Sequence, residues 1–187
     1  MTGVSLIASA ALALVGGAAR VAPSGLVYSS ASARAVQPQP AAGSCHPRGS
    51  GLNQRPDSRC TPGVVNPAVT QATIGSTICK SGWTKSVRPS SSITATEKLG
   101  SLRAYGETPP SRFEYDHLVP LELGGAVNDA RNLWPEPDYP ARAGFYLNPK
   151  DRLETSLKRR VCDGRMTLAI AQREIASNWV SAMARYG

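Results

Sequence analysis

The chain has 187 residues, of which 41% are apolar and 18% charged, together with 17 Gly and 15 Pro. This suffices for one domain with a modest core and much loop, so a multi-domain reading is unnecessary. A formal charge of +8 and a pI of about 9.7 permit a polyanionic partner without identifying one.

In chain order, Met1 is followed by an apolar run, Val4 to Val15, ending in Gly16-Gly17-Ala18-Ala19. The run is too short to span a bilayer and reads as the h-region of a signal peptide, although Met-Thr-Gly supplies no positive n-region. Ala31-Ser32-Ala33 fits a small-x-small cleavage site, which assigns 1–33 to the signal peptide; an earlier cut near Ala19 is the alternative. Residues 34–44 then read as a disordered linker, and the folded domain as 45–187. The protein is accordingly expected to be secreted, with no membrane association in its mature form, and to be a monomer.

Cys45, Cys60, Cys79 and Cys162 form an even set without a C-x-x-C pair. This disfavours a zinc ribbon and, in an exported chain, favours disulfides. Of three possible pairings, Cys45 with Cys60 and Cys79 with Cys162 is preferred, because the first closes a compact Pro/Gly loop and the second ties distant segments. Residues 45–67 are dense in turn formers, with His46 at the surface. The β-branched residues between Val69 and Val87 predict one or two short strands. Thr94 as N-cap, Glu97 three residues later, and Leu99, Leu102 and Tyr105 at helical spacing predict a helix over 93–105 with a capping box.

Glu114 to Gly125 reads as strand, turn and glycine-rich loop, and 132–137 as a second short strand broken by prolines. A helix follows from about Pro149 through Leu153, Leu157 and Val161 to Gly164. The last helix starts at Thr167 and places Leu168, Ala171, Ile175, Trp179 and Met183 on one stripe. The fold class is therefore α+β.

Charge is unevenly spread. Residues 113–140 hold six acidic residues against Arg131, whereas 142–173 hold eight basic against three acidic. Carboxylates to hold a cation beside Lys and Arg to hold a phosphate backbone suit a metal site acting on a phosphodiester. A solvated surface gives the same counts. His117 suits the general base, since a neutral imidazole is available near neutral pH. Asp116 can give a hard anionic ligand to a metal. The two lie on opposite sides of the strand, and backbone twist at its end is expected to bring both to one cleft.

The order Asp116-His117, Gly124-Gly125, Asn132 and Asn148 before a helix resembles the ββα-metal core of HNH endonucleases. The wider run resembles small secreted bacterial HNH-like proteins. The resemblance implies a ββα-metal core with additional short strands and C-terminal helices, stapled by disulfides, and a nuclease acting on DNA or RNA. It also implies site roles: His117 and Asn132 catalytic, with Asn132 pinning the loop and orienting His117, and Asp116 and Asn148 holding a divalent ion, Mg²⁺ or Mn²⁺. Asn148 stands where many relatives carry His, and Asp151 or Glu154 could substitute as ligands. Arg142, Lys150, Arg152, Lys158 and Arg159, with Arg160 and Arg165, are candidates for phosphate contact on the basic flank. The competing reading is a non-catalytic extracellular module that keeps the scaffold to bind a polyanion or an envelope partner.

Overall fold

The computed structural model of the protein describes residues 19–142 and 145–187, with side chains left out over 140–147. The signal-peptide assignment falls largely on residues 1–18, which lie outside the described residues. The architecture is α+β, with three two-stranded sheets and four helices among the described residues. The expected pairings Cys45–Cys60 and Cys79–Cys162 are both present.

The stretch read as the end of the signal peptide and the linker after it runs as a strap along the domain. Strand β1 (Val27–Tyr28) pairs in parallel with β2 (Val64–Val65). Beyond it, Ser29 Oγ donates to Asp129 at 2.7 Å, the Gln37 amide to the Glu97 carboxylate at 2.6 Å, and Asn128 Nδ2 to the Ala35 carbonyl at 2.9 Å. These partners satisfy backbone and side-chain groups that a free linker would leave to water. A cut after Ala33 would remove β1, whereas a cut near Ala19 would leave the strap whole.

Between 69 and 87 no strand forms. The hydroxyls that suggested β propensity bond their own backbone: Thr73 Oγ1 donates to the Ala68 carbonyl at 2.9 Å and Thr77 Oγ1 to that of Thr73 at 2.7 Å. Local bonds of this kind favour turns over a ladder, and the segment ends in the short helix α1 (Trp83–Val87). Helix α2 (Ser91–Tyr105) begins before the expected Thr94 cap, and Glu97 turns to the strap and Asn128 rather than closing a capping box. Leu102 and Tyr105 are buried, while Leu99 is exposed.

Strands β3 (Phe113–His117) and β4 (Leu133–Pro137) form an antiparallel hairpin in which Asp116 lies opposite Trp134 and His117 opposite Leu133. A second hairpin, β5 (Tyr139–Arg142) and β6 (Phe145–Leu147), follows; the sequence reading did not separate it. It leads into α3 (Pro149–Cys162), capped by Asn148, whose Oδ1 accepts from the Lys150 amide at 2.9 Å, with Pro149 in the first turn. Helix α4 (Leu168–Tyr186) is capped by Thr167 as expected. Leu153, Leu157 and Val161 of α3 meet Leu168, Ala171, Ile175 and Trp179 of α4 in a core that also encloses Trp134. Each such side chain contributes roughly 1.5–3 kcal/mol on burial. Helix α3 is thereby held as a rigid wall behind the β3–β4 hairpin, and that wall positions the candidate site.

Candidate active site

The loop between β3 and β4 is built on Asn132. Its side chain is fully buried; Nδ2 donates to the carbonyls of Val119 at 3.0 Å and Ala126 at 3.2 Å, and Oδ1 accepts from the Val119 amide at 3.0 Å. Gly125 fits between them because a Cβ there would lie 1.7 Å from the Val119 carbonyl oxygen. Gly124, at φ +71°, takes a left-handed conformation that few other residues adopt. The pair of glycines and Asn132 therefore belong to one device that folds the loop back on the strand end.

That loop orients His117, through Val127 rather than through the Asn132 side chain expected to do so. His117 Nε2 lies 3.0 Å from the Val127 carbonyl oxygen. A carbonyl only accepts, so Nε2 carries the hydrogen and the neutral ring keeps its lone pair on Nδ1. Burial lowers the His117 pKa despite the opposing pull of Asp116 and the Val127 carbonyl, which keeps the ring neutral and basic at neutral pH. His117 opens on a cleft of about 410 Å³ shared with Arg88, Thr94, Lys98 and Tyr115. Arg88 and Lys98 were not among the sequence candidates, because their link to His117 is made by the packing of α2 against the hairpin. Glu114, two residues before Asp116, turns its carboxyl to the α3 side with it, where Asn148 Nδ2 donates to it and burial and Asp116 push it up to about 7.

Asp116 does not share that cleft. Successive strand residues alternate between faces, and Asp116 turns toward α3, where Lys150 Nζ lies 2.5 Å from its Oδ2. The same ammonium is 3.0 Å from Glu136 of β4 and 2.6 Å from Glu154, one turn further along α3. Lys150 has no exposed surface, which corrects its expected place on the phosphate-binding flank. Burial raises Glu136, and Glu154 to about 8; burial would also raise Asp116, but Lys150 and His117 outweigh it and hold that carboxyl at about 2. Burial would lower Lys150, yet the three carboxylates hold its pKa well above the usual lysine value.

The pair expected to hold a metal is not open. Asp116 is taken by Lys150, while Asn148 gives Oδ1 to the helix cap and Nδ2 to Glu114. Among the described residues, no group of three or more His, Cys, Asp or Glu side chains is arranged to hold a metal ion. The donor set does not fit a divalent cation while the ammonium stays at its centre.

Elsewhere on the flank, Arg152 and Arg159 are exposed and, with Arg160 and Tyr186, line a second cleft of about 530 Å³ on the outer face of α3. Lys158 pairs with Glu122 at 3.3 Å and Arg165 with Asp163 at 2.6 Å. Arg142 lies in β5, and its side chain is outside the described ones. His46 is exposed, as expected. Compared with protein-family models, curated proteins and solved structures, the chain matches none.

Proposed function

We propose that the chain is an HNH-like endonuclease, exported and oxidised, that cleaves phosphodiester bonds of DNA or RNA with His117 as general base. The observation that carries this reading is the Val127 contact, which leaves Nδ1 as the basic nitrogen of His117, a residue that lines a cleft together with Arg88 and Lys98. Nδ1 takes a proton from water, the water oxygen adds to phosphorus, the bond to the leaving oxygen breaks, and that oxygen takes up a proton from solvent while the imidazolium returns its own to solvent. Arg88 and Lys98 sit where they would offset the phosphate charge. The order β3, Asn132-pinned loop, β4, α3 is the order that the HNH resemblance implies. A divalent ion would find hard oxygen donors in Asp116, Glu136 and Glu154 only with Lys150 displaced. Export is supported by two disulfides; separately, among the described residues no helix is long and apolar enough to cross a membrane.

A non-catalytic polyanion-binding module is favoured by one specific observation: Asp116 and Asn148 are both already engaged within the protein. Incubating the purified, oxidised chain with supercoiled plasmid and with a long RNA, beside a His117→Ala control, separates the two. Cleavage by the wild type alone supports the nuclease. Salt-sensitive binding of nucleic acid by both, with cleavage by neither, would establish the module instead.

A further inference from the structure

We propose that Lys150 is the resident cation of this site, its ammonium occupying the place that the HNH resemblance gives to a divalent metal, so that no metal binds there in the native chain. The proposal rests on the HNH-like reading of the β3–β4–α3 unit, but it is read out by metal occupancy rather than by cleavage.

Each element of the unit sends one carboxylate to the same atom. Asp116 comes from β3, Glu136 from β4 and Glu154 from α3, at 2.5, 3.0 and 2.6 Å from Lys150 Nζ. Carboxyl oxygens from all three elements meet at one point of the unit, and the cation found at that point is the Lys150 ammonium. The ammonium donates to Asp116 and to Glu154, and the Glu136 carboxyl lies within ion-pair distance of it. The lysine is also built in at its other end. Its backbone amide is held by the Asn148 cap, Pro149 precedes it, and its side chain is fully buried, so it is not a surface arm that happens to fold inward. A second cation at the same point would meet a positive charge in a poorly solvated pocket, where such repulsion is large. The positive charge that a substrate phosphate meets then comes from Arg88 and Lys98 on the His117 side.

The test is titration of the full-length oxidised wild type with Mn²⁺, followed by electron paramagnetic resonance, beside Lys150→Met and Asp116→Asn. The wild type is expected to take up no Mn²⁺ at micromolar concentrations and to show the same melting temperature with and without EDTA. Lys150→Met, which keeps the chain length but removes the charge, is expected to gain one bound Mn²⁺. One Mn²⁺ per wild-type chain that is lost in Asp116→Asn would overturn the proposal, and that result stands even if Lys150→Met does not fold. A folded Lys150→Met chain that takes up no Mn²⁺ would equally overturn the equivalence of ammonium and metal. Cleavage activity enters neither criterion, so the nuclease reading can fail while this one holds.

Discussion

The Lys150 ammonium lies 2.5 Å from the Asp116 carboxylate and has no exposed surface, which makes this pair part of the interior rather than an open catalytic contact. A buried charge left wholly unpaired costs about 3 to 5 kcal/mol, and removing Asp116, itself partly exposed, leaves Glu136 and Glu154 beside the ammonium, so the cost falls toward the lower end of that range. Asp116→Ala is therefore expected to lower the urea midpoint by a corresponding amount. A loss under about 1 kcal/mol, the range of exposed pairs, would mean that the ammonium escapes to water.

Asn132 satisfies three backbone groups of the β3–β4 loop from a fully buried position. Asn132→Asp keeps the acceptor toward the Val119 amide but places a carboxylate oxygen against two carbonyls, so it is expected to cost at least as much as Asn132→Ala, on the order of 3 kcal/mol. The His117 ring should lose its fixed tautomer in both variants, visible in the imidazole nitrogen shifts. An unchanged His117 spectrum in a folded variant would remove Asn132 from the positioning chain.

Stability should fall as pH rises from about 5 to 8. Glu114 and Glu154, with folded pKa values of about 7 and about 8, and Glu136, also raised, bind more protons folded than unfolded over this window. Their contribution is complete below the unfolded carboxyl value and is lost through the folded one. His117 opposes them, because its lowered pKa costs stability as pH falls below its unfolded value near 6.5. Glu97, Asp138 and Asp151, also raised by burial, act in the same direction, so the carboxyls together set the sign. Melting temperatures of the oxidised protein that rise steadily from pH 5 to 8 would contradict it.

Of the two disulfides, Cys79–Cys162 closes a sequence separation of 83 and Cys45–Cys60 one of 15. Chain entropy alone gives about 4.5 and about 3 kcal/mol respectively. Removing the first pair should therefore cost more. The second lies beside the strap, where Cys45 also donates its amide to the Ala104 carbonyl, so its loss should additionally free residues 35–45 to proteolysis. Equal costs and unchanged cleavage patterns would show that the unfolded chain does not set the difference.

Export predicts a mature N-terminus near Arg20 rather than Arg34, because β1 and the Ser29 contact to Asp129 lie upstream of the Ala33 site. Intact-mass measurement of the secreted protein decides between the two. A start at Arg34 would mean that the domain dispenses with β1.

The β3, β4, α3 and α4 segments were legible because their signals are local: glycines and prolines that bound the two strands, Pro149 in a first helical turn, a cap at Thr167, and an apolar stripe from Leu168 to Trp179. The strap was not, since Gln37 and Ala35 find their partners in Glu97 and Asn128, far along the chain, and nothing in a Ser, Ala and Pro-rich composition marks that. At the site, the pinning of the β3–β4 loop by Asn132 was readable from motif order. Lys150 was misplaced because a lysine among seven basic candidates looks solvated until the carboxylates of β3 and β4 are brought to it. Its spacing to Glu154, four residues on, was the one local clue. Arg88 and Lys98 carried no signal at all, being joined to His117 only through packing.

The most direct measurement of the central claim is the single-turnover cleavage rate of wild type and His117→Ala as a function of pH. With His117 as the base, held neutral by burial, the wild-type rate should rise with pH and reach its plateau before the ordinary histidine value of about 6.5, and His117→Ala should be slower by roughly a hundredfold to ten-thousandfold across the plateau. Equal rates for the two proteins at every pH would contradict the assignment.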